Sequence, residues 1–253
     1  MPDEVPKPPY PRPPIEQAVF AFHFAHHLER RAVERFVKKN RKAFPAQEQM
    51  FDIKVELGKK PSPASVSANG FILKDADNAI TLVVRPETIS VVRRPPYTAW
   101  DELIEHAKLV WRKIKDVAGH PQLSRLSTRF INRLDIGTRV AGSAEPLKSV
   151  NLTDYLQFGI VIPPGLADFP LENFHINCHA SSPTGTLKQT IQVASIPSLL
   201  IDHTSFILDI DVATTEPIPL EEAAMWQIAQ TLQERKNRLF EACITDTTRR
   251  LFK

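Results

Sequence analysis

The 253-residue chain is 42% hydrophobic, enough for a real core, and its 32 basic residues nearly balance 29 acidic ones for a formal net charge of +3. That balance excludes a bulk polycation, so a nucleic-acid contact would need local clustering of charge. The eight glycines form no G-x-G-x-x-G, no P-loop and no G-x-S-x-G, so glycine-loop nucleotide binding and α/β-hydrolase chemistry both lose support.

Residues 1–14 hold seven prolines and read as an extended tail that leads along the domain into the first strand. Within it, Lys7-Pro8-Pro9-Tyr10-Pro11-Arg12 has the flavour of a ligand for an aromatic groove. Residues 17–24 read as a strand in which Val19 alternates with Phe20, Phe22 and Phe24, a pattern open to burial on both faces. Residues 28–44 read as a helix with Leu28, Ala32, Val33, Phe36, Val37 and Phe44 inward, stopped by Pro45. Its outer face carries seven basic residues against Glu29 and Glu34. Arg31, Arg35, Lys38, Lys39 and Lys42 on that face are the candidates for phosphate-backbone contact, although no aromatics interleave them for base stacking.

Residues 48–57 alternate as an amphipathic strand with Phe51, Ile53, Val55 and Leu57 toward the core. A Pro/Ser loop at 59–65 precedes three further strands at 66–74, 79–85 and 88–93. Residues 100–117 are the clearest helix, with Trp100, Leu103, Ile104, Ala107, Trp111, Ile114 and Val117 at helical spacing. Thr98 sits where an N-cap belongs, and Gly119 just past the end. Both tryptophans read as core. Residues 123–136 alternate strictly: Leu126, Phe130, Leu134 and Ile136 lie on one face with Thr128 and Asn132, and Arg125, Arg129, Arg133 and Asp135 on the other. A short helix at 152–158 is followed by a break at Pro163-Pro164. A meander at 174–180, 186–194 and 199–212 leads to a closing helix after Pro219, with Met225, Ile228, Leu232, Leu239 and Cys243 as its stripe.

The order strand, helix, strands, helix therefore occurs twice. It predicts an α+β fold of mostly antiparallel sheet with amphipathic helices packed on one face. The halves are 15–119 and 120–253, in one continuous domain or two. The two cysteines, Cys178 and Cys243, form no disulfide framework; with no secretory pattern at the start and no spanning run, they suggest reduced thiols in a cytoplasm. Cys178 reads as a small core residue, and its neighbour His179 points to the opposite face, which rules out a dyad between them.

If each strand of the second half turns its apolar side to one core, the polar sets share the opposite face. That face would hold Arg125, Arg129, Arg133, Asp209 and Asp211, with His175, Asn177 and His179 beside them. The arginines could pair across strands with Asp209 and Asp211, or offer their forks to an anion, nucleic acid or protein. Alternatively His175, His179, Asp209 and Asp211 could hold a metal, two ligands from each of two strands, with the arginines gripping a phosphodiester for hydrolysis.

Three stretches, Pro13-Pro14-Ile15-Glu16-Gln17-Ala18-Val19, Arg129-Phe130-Ile131-Asn132-Arg133 and Phe240-Glu241-Ala242-Cys243-Ile244-Thr245-Asp246, resemble the opening, central and closing motifs of a sporadically distributed bacterial family of proteins of about this length. Gln17 and Phe130 depart from its usual Glu and Tyr. The resemblance implies a bacterial cytoplasmic origin, attaches no chemistry, and picks out Arg129, Asn132 and Arg133. The expectation is a binding or interaction module without a cofactor. It would use Arg125, Arg129, Asn132, Arg133, Asp209 and Asp211 on a polar sheet face toward a protein partner, a second copy of itself or an anionic ligand, and not a membrane. Metal-dependent phosphodiester hydrolysis and nucleic-acid binding by the basic helix are the alternatives.

Overall fold

Every strand of the computed structural model, which describes residues 10–54, 65–139, 150–157, 159 and 173–253, joins one antiparallel sheet. The elements in order are β1 (Ile15–Phe24), α1 (Arg30–Asn40), β2 (Ala46–Lys54), β3 (Ser65–Lys74), β4 (Ile80–Val84), β5 (Thr88–Arg93), α2 (Trp100–Ala118), β6 (Leu123–Gly137), a single 3-10 turn at Leu152–Asp154, β7 (His175–Ser181), β8 (Leu187–Ile196), β9 (His203–Thr214), α3 (Glu222–Cys243) and α4 (Asp246–Arg250). The nine strands lie in the order β2-β3-β4-β5-β1-β6-β9-β8-β7. The two halves meet where β1 pairs with β6, so the sheet is continuous across them. Outward from that seam each half repeats one order: first strand, then the last strand of its meander, then back to the earlier ones.

Alternation decides which face the helices cover. Phe20, Phe22 and Phe24 of β1, Leu126, Phe130 and Leu134 of β6, and Leu208, Ile210 and Val212 of β9 all face one way and are buried. α2 packs over β1 and β5, α3 over β6 and β9, and α1 lies against α2. Both tryptophans of α2 are core: Trp111 stacks on Phe22 at 5.3 Å and Trp100 meets Phe20 edge-on at 6.1 Å. Burial of such aromatic area is the dominant favourable term in a core of this kind. Among the described residues, no helix is long and apolar enough to cross a membrane.

Several expectations change. β1 is buried on its helix side, whereas Val19 and His23 on the other face stay partly exposed. Phe51 is 56% exposed, because β2 is an edge strand outside the helix layer, with a bulge between Met50 and Phe51. Val55 and Leu57 lie outside the described residues, as does the break at Pro163-Pro164. Thr98 does not cap α2; Ala99 occupies that position, and Thr98 instead bonds the Glu102 side chain. Gly119 does end the helix, with φ 73° and its N–H donating to Lys115 O at 2.8 Å. Cys178 is exposed, since β7 overhangs the helix layer.

Of the proline-rich tail, residues 1–9 lie outside the described part. Tyr10 packs edge-on to Phe252 at 5.2 Å and donates its hydroxyl to Glu241 Oε1 at 2.7 Å. Burial, and then the bond to Glu241, push the Tyr10 phenol up to about 12. Arg249 also bonds Glu241, at 2.9 Å, so the start of the chain is clasped to its end.

Candidate binding face

The face of the sheet turned away from the helices is polar, and the strand register fixes its rows. One row runs Val92, Val19, Arg129, Asp211, Thr190, His179 from β5 to β7. The next toward one end runs Gln17, Ile131, Asp209, Gln192, Asn177. Period-two geometry thus places Arg125, Arg129, Arg133, Asp209, Asp211, His175 and His179 on one face, as the patterning predicts.

The three arginines meet different fates. Arg129 does not bond the residue directly opposite, Asp211. Its guanidinium reaches diagonally to Asp209, with Nε at 2.9 and 3.0 Å from the two carboxylate oxygens and Nη2 at 2.5 Å. Asp209 is 5% exposed, so this fork keeps a buried carboxylate partnered. Arg133 is partnered from its own neighbourhood: Nε donates to Asp135 at 2.9 Å, and Nη2 to Ser205 Oγ at 3.2 Å and Pro197 O at 3.3 Å. Both are structural ion pairs.

Arg125 differs. Among the described residues no carboxylate lies within salt-bridge distance of it, and its contact is His23. Arg125 Nη2 is 3.2 Å from Nε2 and 3.3 Å from Nδ1 of that imidazole. A donor equidistant from both ring nitrogens aligns with neither lone pair, so the guanidinium lies over the ring. The ring nitrogens are taken by hydroxyls: Nε2 pairs with Ser127 Oγ at 3.0 Å and Nδ1 with Thr88 Oγ1 at 3.1 Å. Burial, and then the Arg125 cation, hold His23 down to about 4. Asp211 accepts no hydrogen bond among the described residues, and burial raises its carboxyl above the usual range. Among the described residues the face therefore keeps one arginine without a salt bridge and one aspartate without a hydrogen bond.

Ser127 and His23 stand at the distance of a nucleophile and its base. The chemistry does not follow. The imidazole is kept far below the neutral range that suits a general base, a cation covers it, and its far nitrogen meets a hydroxyl instead of an orienting carboxylate.

Other candidates are corrected. Asn132 lies on the helix side, 2% exposed, and donates to Leu208 O at 3.0 Å; it is a strut between β6 and β9, not a binding residue. The proposed metal set does not assemble. His175 and His179 sit on β7, Asp209 and Asp211 on β9, and β8 lies between them, so the pairs are two strand spacings apart, roughly 9–10 Å. His175 and His179 are themselves four strand residues apart, roughly 13 Å. Ligands to one ion sit ~2 Å from it, and no cluster of metal-binding residues occurs among the described residues. On α1, Arg35 Nη2 donates to Val117 O at 2.7 Å, tying it to the end of α2, and Lys39 pairs with Asp116 at 3.3 Å. Arg31 and Lys38 remain exposed on that helix, and Lys42 in the turn after it.

Two features went unread in the sequence. His23 is flanked by Phe22 and Phe24, so period two puts it on the polar face, and the β1–β6 register sets it beside Arg125. Lys236 is buried inside the apolar stripe of α3, on the spacing Met225, Ala229, Leu232, Lys236. Its Nζ lies 3.6 Å from the Phe130 ring centroid and bonds Asn237 Oδ1 at 2.5 Å. Burial pulls its amine down to about 7.

No protein-family model matches the chain, and no curated protein matches it.

Proposed function

We propose that this chain is a non-catalytic binding module that takes an acidic group of a protein partner on Arg125, on the open face of its sheet. The observation that carries this reading is the contrast within the arginine row. Arg129 and Arg133 are neutralised by Asp209 and Asp135, while Arg125 is held over an uncharged imidazole and makes no salt bridge among the described residues, with Asp211 near enough to feel its charge but not bonded to it. A guanidinium presented in that way favours a carboxylate or phosphate. A protein partner suits the face better than a small anion. Asp211 nearby offers acceptor oxygens to a donor of the same partner, and the loop that Arg133 roots through Pro197 O exposes Leu199, Leu200 and Ile201 at one border. Exposed aliphatic anchors beside a polar patch are typical of an interaction surface.

Thermal unfolding in the presence of inorganic phosphate and of a short polyglutamate peptide tests the reading. Ligands that bind only the folded state raise the melting temperature. The wild type should respond to the acidic peptide, Arg125→Ala should not, and added salt should weaken the response. An equal response in both proteins, or none in either, refutes the assignment. Nucleic-acid binding that survives Arg125→Ala and disappears when Arg31, Lys38 and Lys42 are replaced would transfer the function to α1.

A further inference from the structure

The two edges of the sheet are built differently. At one, β2 carries Glu48 and Asp52 and faces a bulge in β3, where Asn69 has no partner between Gly70 and Ala68, devices that discourage further pairing. At the other, β7 reads His-Ile-Asn-Cys-His-Ala-Ser: no formal charge at neutral pH, no proline, no glycine, and an unbroken register with β8 from His175 to Ser181. Its apolar side, Cys178 and Ala180, is exposed because the helix layer stops short. The repeated order of the halves sharpens the contrast. β7 stands where β3 stands in the first half; β3 has β2 on its outer edge, and no described strand lies beyond β7.

Backbone direction defines what that edge offers. Ser195 N donates to Phe174 O at 3.1 Å and Ser182 N to Leu187 O at 2.8 Å. Even-numbered residues of β7 therefore bond to β8, and His175, Asn177, His179 and Ser181 turn their N–H and C=O groups to the edge that no described strand covers. These four positions can pair with themselves in antiparallel fashion. The register that uses all four sets Asn177 opposite His179 and His175 opposite Ser181, with Cys178 facing its own copy on the axis.

We propose that β7 pairs with β7 of a second copy of this chain in that register, making a closed twofold dimer with one continuous sheet. Each cross-strand pair is compatible. Asn177 with His179 and His175 with Ser181 match donors to acceptors on the polar face; Ile176 with Ala180 and Cys178 with Cys178 match small apolar groups on the other. His179 already meets Thr190 Oγ1 through Nδ1 at 3.0 Å, which leaves Nε2 for the partner's Asn177. A twofold contact uses each edge once, so the assembly closes instead of growing into a filament. It also brings the two open polar faces into one surface. The pairing needs no ligand, so its failure would leave the reading of Arg125 standing, and the reverse.

Light scattering should give twice the 28.6 kDa chain mass. Asn177→Pro removes an N–H that only the partner uses, a place where an edge strand tolerates proline, and should return the monomer mass with the chain still folded. If that variant fails to fold, the double substitution Asn177→Lys with His179→Lys sets like charges opposite each other only in the dimer, and should also give a monomer. In Cys243→Ala, diamide should link the two remaining Cys178 thiols. Their hydrogens pass to the diamide N=N bond, which becomes the hydrazine, as one S–S bond forms. The facing Cα atoms of such a pair are ~4.5 Å apart, within disulfide reach. A monomeric wild type, a dimer indifferent to these substitutions, or a dimer that diamide does not link overturns the proposal.

Discussion

Replacing Lys236 by methionine should stabilise this protein at neutral pH, and by less as the pH rises. Lys236 is 7% exposed, sits above Phe130 of β6, and has no carboxylate among the described residues to offset its burial. Its amine falls from 10.5 to about 7 on folding. The folded pKa is below the unfolded one, so the burden is absent above the unfolded value, grows as pH falls from 10.5 toward 7, and is complete below that. At ~1.4 kcal/mol for each unit, the ceiling is about 5 kcal/mol. The cation–π contact with Phe130 returns up to ~2 kcal/mol to the charged form. Lys236→Met should therefore gain about 2–4 kcal/mol at pH 7, since methionine fills the same unbranched path through the core. For a chain of this size that is a rise of roughly 5–8 °C in melting temperature. Urea unfolding at pH 7, 8.5 and 10 measures it. The gain must shrink steadily across that series. A gain that stays constant with pH, or a loss at pH 7, would refute the argument and mean that Lys236 reaches water or an anion beyond its contacts with Asn237 and Phe130 in the folded protein.

Arg129→Ala should cost about 2–4 kcal/mol in denaturant unfolding, because it strands the buried Asp209 carboxylate; a cost under ~1 kcal/mol would show that water reaches Asp209 in its place. Removing the Arg125 cation by Arg125→Ala should raise the His23 pKa from about 4 toward, but not to, 6.5, since burial remains. His23 binds fewer protons folded than unfolded, so the wild type loses stability as pH falls from 6.5 through 4, and the variant should lose less. Imidazole nitrogen shifts read the titration directly; a His23 pKa that stays put or drops removes Arg125 from the account.

The stretches 13–19, 129–133 and 240–246 converge in space. The opening stretch forms β1 and pairs with the central stretch on β6, where Arg133 N donates to Pro14 O at 2.8 Å. The closing stretch supplies Glu241, which holds Tyr10 and Arg249. Their shared property is joinery: they seal the seam between the halves and clasp the chain ends. Only the outward side of Arg129-Phe130-Ile131-Asn132-Arg133 reaches the open face. Both of its arginines are occupied there, and its Asn132 is buried on the other side.

Alternation and helical spacing were enough to read the α+β class, most strand and helix positions, and the set of polar residues that share one sheet face, because these depend only on where successive side chains point along one element. The helix stripe over residues 100–117 and the strand at 123–136 were legible for that reason. Partner choice was not. The diagonal fork from Arg129 to Asp209, the seating of Arg125 on His23, and the separation of His175 and His179 from Asp209 and Asp211 by a whole strand all depend on strand order and register, which come from how distant segments meet. The same holds for Lys236, whose place in the stripe is visible in spacing but whose burial needs β6 beneath it, and for β7, whose uncharged sequence becomes an edge only once it stands last among the described strands.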